Sequence, residues 1–241
     1  MTINLVLQSN WQRVSAEVAE ACRLAGRDSH AVQIVGVSKY VGPELACALA
    51  QVGCLTLGEN RPQSLWEKYD WAAAQPNSPA IAWHMIGHLQ RNKVKRTLPL
   101  IELLHSLDSL RLAQTVSDEA VAAGLLVRAL VDVNVTGDQT KTGIAATELE
   151  PFLEQAIQLP GLELHGLMAM SSLGGDTHTA RREFAQVRQL REQMSERFGA
   201  QLPHWTELSM GMSGDYQAAI AEGATLVRIG SSLWEGVLAS A

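Results

Sequence analysis

Over the first 25 residues the apolar side chains Trp11, Val14, Val18, Cys22 and Ala25 recur every three or four positions, and Gly26 follows them. That period gathers one face of a helix, and glycine readily closes a helix C-terminus, so an N-terminal amphipathic helix is expected over about residues 3–25. Downstream the pattern changes to short apolar runs. They centre on Ile34-Val35, Leu55-Thr56-Leu57, Trp83-His84-Met85-Ile86, Leu103-Leu104-His105, Leu130-Val131-Asp132-Val133, Leu164-His165-Gly166-Leu167, Glu207-Leu208-Ser209 and Leu226-Val227-Arg228-Ile229. Helical stretches lie between them, such as Pro43–Gln51, 148–158 and a short one over 215–222. The clearest is Thr177–Phe198, with Phe184, Val187, Met194 and Phe198 on one face and Gly199 as a stop.

Eight strand–helix alternations predict an α/β fold, a single (β/α)8 TIM barrel with the additional N-terminal helix in front. An open, doubly wound sheet is the main rival, because alternation alone cannot close a barrel. No internal repeat and no Pro/Gly/Ser linker divides the chain, so residues 1–241 are read as one domain.

Composition narrows the partners. With 46% apolar and 18% charged residues the chain has the make-up of a globular protein rather than a disordered one. A net charge of −6 argues against non-specific nucleic-acid binding. The absence of a membrane-length apolar run or a signal-peptide pattern argues against a membrane and for a cytoplasmic protein. Cys22, Cys47 and Cys54 form no CxxC pair and are expected to be reduced. The basic run Arg91-Asn92-Lys93-Val94-Lys95-Arg96 reads as a solvated helix face or an anion or partner contact.

In a barrel the chemistry gathers where strands end at their C-termini. Lys39, Asn60, His84, Ser106 with Asp108, Asn134, Met170, Ser213, and Gly230 with Ser231 all fall at or just beyond such ends. Lys39 closes the run 31–39; a lysine there either snorkels to water or, partly desolvated, becomes a nucleophile suited to a Schiff base. Arg228 sits inside the apolar eighth strand and needs a partner, either a salt bridge to a residue such as Glu207 or a ligand ring nitrogen. The turns 212–215 and 230–232 offer glycines and hydroxyls of the kind that hold a phosphate, although capping alone explains Ser213. A reactive lysine and two such turns suggest a phosphorylated aldehyde. Asn60 either orients a ligand or caps the next helix, and Met170 reads as core. His84, His88 and His105 lack zinc-ligand spacing, so no metal site is expected.

Together these segments resemble the pyridoxal-phosphate homeostasis protein family, a single-domain relative of the alanine racemase N-terminal barrel. The matching strings are 37–39, 58–60, 83–90 with Asn92-Lys93, 105–109, Lys141-Thr142-Gly143, 166–170, 208–213 and 227–231, all in family order. The resemblance implies pyridoxal 5′-phosphate bound by Lys39 as a Schiff base, with Asn60 and Met170 near the ring and Arg228 facing the pyridine nitrogen. Ser213, Gly230 and Ser231 would hold the phosphate, with Ser209 supporting that turn. The chain departs from the family at Arg61-Pro62, at Gly214 and at Ser231-Ser232-Leu233-Trp234-Glu235-Gly236. Ser231 keeps a hydroxyl, so binding is expected to persist, while the role of the closing segment is left open.

Two classes share this cofactor. A racemase needs a base on each face of its substrate. The alanine racemases take the second base, a tyrosine, from a further β-rich domain, and this chain ends at Ala241 soon after the eighth strand. Tyr40, Tyr69 and Tyr216 do not match that tyrosine by position. The expectation is therefore a non-catalytic carrier or regulator in vitamin B6 homeostasis and amino-acid and keto-acid balance. Apo-enzymes that use the cofactor are the expected recipients, and the protein is expected to be a monomer. A weak amino-acid racemase is the alternative, and a Schiff-base aldolase acting on a phosphorylated sugar is a more distant one.

Overall fold

The structure, a computed structural model, describes residues 2–138, 142–172 and 174–238. The chain runs α1 (Ile3–Leu24), β1 (Gln33–Val37), α2 (Pro43–Gln51), β2 (Thr56–Glu59), α3 (Pro62–Ala73), β3 (Ala82–Met85), α4 (Val94–Thr97) and β4 (Leu103–Leu107). It continues α5 (Leu110–Ala122), β5 (Val127–Asn134), β6 (Ile144–Ala145), α6 (Leu149–Ala156), β7 (Leu162–Met168), α7 (Thr177–Phe198), β8 (Glu207–Met212), α8 (Tyr216–Ala221) and β9 (Leu226–Ile229). The strands follow the order β4-β3-β2-β1-β9-β8-β7-β5, every pair is parallel, and β4 also pairs with β5. That last pairing closes the barrel and removes the open-sheet alternative. All eight expected strands are present. The two-residue β6, which pairs only with the end of β5, was not anticipated because two residues carry no period.

Alternation sorts the side chains into two cores. Val227 and Ile229 join the large cluster between barrel and helices, together with Leu57, Trp83, Leu104 and Val131. Val35, Leu103, Leu130, Met168 and Leu226 form a second, separate cluster inside the barrel. Side chains from alternate strands fill the interior of such a barrel, so it is packed rather than hollow. Helix α8 lies directly on β8, where Gly211 has φ +92° and an added Cβ would fall 2.6 Å from Ala219 Cβ. A side chain at Gly211 would push α8 off the strand it follows.

Candidate functional site

Strand register assembles the expected residues along one half of the C-terminal rim. Val37 pairs with Gly58, Gly36 with Ile229, Met212 with Arg228 and Met168 with Ser209. The ends of β2, β1, β9, β8 and β7 are therefore neighbours, and they carry Asn60, Lys39, Gly230 with Ser231, Ser213 and Met170 in that order. Ser106, Asp108 and Asn134 belong to β4 and β5, on the other half.

Lys39 stands two residues past β1 and is exposed, with Nζ 4.8 Å from the centre of the Tyr40 ring. Of the two sequence readings of Lys39, the fold presents the lysine open to water rather than the partly desolvated one, because β1 stops at Val37. The backbone beneath it is held tightly instead. Lys68 Nζ donates to the Ser38 carbonyl at 2.7 Å and pairs with the Glu59 carboxylate, both side chains being almost fully buried. Glu59 Oε1 accepts the N–H groups of Asn60 (2.7 Å) and Arg61 (3.3 Å). From the opposite side Trp234 Nε1 donates to the Val37 carbonyl at 2.7 Å. Lys68 and Trp234 were not singled out from the sequence; both act on backbone far along the chain.

Two of the simpler readings fail. The residue preceding α3 is Arg61 and no side chain caps that helix, so Asn60 is not its cap. Gly87 lies so close to Asn60 that a Cβ there would fall 2.4 Å from the Asn60 carbonyl oxygen, which fixes the asparagine at the rim. Met170 is 37% exposed and is not core.

Above the apolar cluster the lumen holds a buried polar layer of His84, His105, Asp132, Ser209 and Arg228. Arg228 donates to the Ser209 carbonyl and hydroxyl (2.7 Å each) and to the Ala169 carbonyl (2.9 Å). Glu207 bonds Thr225, so the sequence reading that paired it with Arg228 is replaced by two carbonyls and a hydroxyl. Burial draws the Arg228 value down to about 10, opposed by Asp132 and Asp215. The Ser209 hydroxyl also meets His105 Nδ1 at 2.9 Å, and His105 Nε2 meets His84 Nδ1 at 2.9 Å. Ser209 thus works on the guanidinium, inside the lumen, rather than on the phosphate-type turn it was expected to support. With Arg228 donating to Ser209, the bonds run in one direction if Ser209 donates to His105 and His105 to His84, both rings neutral. Burial agrees: it draws His84 down to about 3 and His105 well below the ordinary value. Burial also pushes Asp132 up to about 6, against a hydrogen bond from Thr142 (3.2 Å) and the charge of Arg228. Lys141, in the same sequence string, lies outside the described residues.

At the two turns, the Gly230 N–H donates to Ser213 Oγ at 3.2 Å, tying one turn to the other. The residue preceding α8 is Asp215, so Ser213 is not its cap. Asp215 accepts from the Met212 N–H and from Ser171 Oγ, both at 2.6 Å, and Gly214 has open space where a side chain would stand. The basic run is partly absorbed by structure: the Arg96 guanidinium lies 4.3 Å from the Trp66 ring and pairs with Asp70, and Lys93 lies 5.7 Å from the same ring. On the other half of the rim His88 Nδ1 meets Asp108 at 2.9 Å. Among the described residues no cluster of His, Cys, Asp or Glu could hold a metal ion, and no helix is long and apolar enough to cross a membrane.

The arrangement is that of a barrel presenting an amine, a buried guanidinium and two hydroxyl-bearing turns to one opening. Residues 10–236 match the family described as alanine racemase, N-terminal domain. The chain is 36% identical over 222 residues to the pyridoxal phosphate homeostasis protein of Aquifex aeolicus, covering 92% of this chain and 94% of that one. A structure described as an unknown protein from Bifidobacterium adolescentis superposes with a TM-score of 0.88 at 31% identity, covering 97% of both chains. PipY of Synechococcus elongatus PCC7942, solved with PLP bound, gives a TM-score of 0.79 at 31% identity over 90% of this chain and 99% of that one. The chain belongs to the pyridoxal phosphate homeostasis protein family, within the alanine racemase N-terminal fold.

Proposed function

We propose that this protein binds pyridoxal 5′-phosphate as a Schiff base on Lys39 and stores or delivers it rather than turning over a substrate. The observation that carries the reading is the placement of Lys39, Arg228 and the Ser213–Gly230 turns on three neighbouring strands, β1, β9 and β8. Amine, cation and anion cradle then face one rim. When bound, the cofactor supplies an aldehyde that condenses with an amine and releases water.

Lys39 contributes that amine from a strand end fixed at the Val37 and Ser38 carbonyls. Arg228, carrying no readily lost proton, keeps a ring nitrogen opposite it unprotonated and so weakens the electron sink that racemisation needs. Ser209 orients Arg228. Ser213 and Ser231 would hold the phosphate through hydroxyl and N–H groups, with Gly230, whose N–H is bonded to Ser213 Oγ, letting the backbone approach it closely, while Asn60 and Met170 would flank the ring. The relatives' name as homeostasis proteins agrees with a carrier, and the exposure of Lys39 and Met170 leaves the cofactor open to an apo-enzyme recipient. Buffering this cofactor would shift amino-acid and keto-acid balance through the enzymes that depend on it.

The test is an absorbance titration with pyridoxal phosphate, then borohydride reduction and peptide mapping. One reduced adduct, at Lys39, and no visible band in Lys39→Ala is the expected result. Adducts scattered over surface lysines would overturn the site. Rapid solvent-deuterium exchange into a free amino acid would overturn the carrier role.

A further inference from the structure

The apolar stripe of α1 is interrupted by Asn10, which is only 8% exposed between Leu7 and Val14. A buried amide is costly unless its hydrogen bonds are made. Asn10 Nδ2 makes two, to the carbonyls of Leu233 (3.0 Å) and Glu235 (2.9 Å), more than 220 residues away along the chain. One turn later Arg13 donates to the Ser232 carbonyl (2.9 Å) and pairs with Glu235 (2.9 Å). A further turn on, Glu17 accepts from Arg13 (3.3 Å) and from the hydroxyl of Tyr216 (3.2 Å), the first residue of α8. The segment after Gly230 is also fastened to β1, through Trp234 on the Val37 carbonyl.

We infer that α1 is the frame that fixes both phosphate turns, with Asn10, Arg13 and Glu17 as positioning residues. The inference rests on reading those turns as the phosphate site. Asn10 and Arg13 hold three backbone carbonyls between Ser232 and Glu235, those of Ser232, Leu233 and Glu235, immediately after Gly230 and Ser231. Glu17 holds the start of the helix that follows Ser213 and Gly214. Backbone N–H groups bind an anion well only when they are already aimed, because ordering them at the moment of binding offsets the affinity gained. This gives the closing segment 231–236 a definite role: it is docked on α1 through three carbonyls, which any residue can supply, and through the carboxylate of Glu235.

The experiment compares pyridoxal phosphate with pyridoxal, which has the same ring but no phosphate and closes on its aldehyde as a hemiacetal, a handicap common to every variant, on the full chain and on Asn10→Leu, Arg13→Met and Arg13→Lys. In the wild type the phosphorylated ligand should bind far more tightly. In Asn10→Leu and Arg13→Met that preference should fall at least about tenfold, the equivalent of about 1.4 kcal/mol, with pyridoxal affinity unchanged. Arg13→Lys should recover part of it. In the cofactor-free variants, amide hydrogen exchange should speed up over residues 230–235. Arg13 is 40% exposed at its side chain, so Arg13→Met tests the idea even if Asn10→Leu does not fold. Equal weakening of both ligands, or no change in the preference, would overturn the role of α1. A wild-type protein that does not prefer the phosphorylated ligand would instead overturn the phosphate site itself.

Discussion

Replacing Lys68 with methionine should lower the unfolding free energy by about 3–5 kcal/mol, because it leaves the buried Glu59 carboxylate without its counter-charge. For a chain of this length that corresponds to a fall in Tm of roughly 6–20 °C. The pair is buried on both sides, so solvent screens it little, and the lone carboxylate has no route to water. The double variant Glu59→Gln with Lys68→Met should recover much of the loss, since the glutamine carbonyl can still accept the Asn60 N–H that Glu59 Oε1 now accepts. A consequence for the site follows. Without Lys68 the Ser38 carbonyl keeps only the Val41 N–H of its two donors, one residue before Lys39, so the double variant should regain stability and still bind the cofactor less well. Thermal melts of the two variants beside the wild type check the first claim and the absorbance titration checks the second. A single variant within about 1 kcal/mol of wild type would mean that the pair is no tighter than an exposed one.

Acid should destabilise the protein from about pH 6.5 downward, and Asp132→Asn should make the loss steeper. His84 and His105 are held neutral by burial, the first drawn down to about 3. In the unfolded chain they take up protons below about pH 6.5, so each contributes stability that is complete above that pH and falls by about 1.4 kcal/mol per unit below it. Asp132 acts in the opposite sense. Its value is pushed up to about 6, so its preference for the folded state is full below the unfolded value of about 4 and is lost as pH rises through 6. Between about pH 6 and 4 two groups oppose one, leaving a net loss from these three on the order of 1 kcal/mol per unit. Removing the Asp132 titration should make that slope roughly twice as steep. Denaturant unfolding of both proteins across this range measures the slopes. A slope in Asp132→Asn no steeper than wild type would show that Asp132 does not titrate against the histidines as its burial implies.

The pattern of apolar runs carried the eight barrel strands, the N-terminal helix and α7 with its full bounds, because each presents one face to a core and repeats at the period of its backbone. Position along those runs also carried the candidate site. Lys39, Asn60, Ser213, Gly230 and Ser231 follow strand ends, and in a parallel barrel all strand C-termini share one rim. The family strings made the proposed cofactor legible before any coordinates, and they did so as a set rather than through any one motif.

Other features had no such signal. Whether the sheet closes depends on β4 meeting β5, a pairing that alternation leaves free. Lys68 reads as one more charged residue on a helix, and Asn10 as an interruption in an apolar stripe. Besides Glu59, their partners are a carbonyl 30 residues away and two carbonyls beyond 220, and every residue has a carbonyl. Ser209 was assigned to the wrong neighbour for the same reason: its hydroxyl can turn toward the phosphate turn or into the lumen, and only Arg228 and His105 on other strands decide which. Backbone period and local sterics were enough to place the eight barrel strands, the long helices at 3–24 and 177–198, and the residues that follow the strand ends. The tertiary structure decided closure, the exposure of Lys39 and the buried polar contacts, because these depend on side chains that meet only once distant strands and helices have packed.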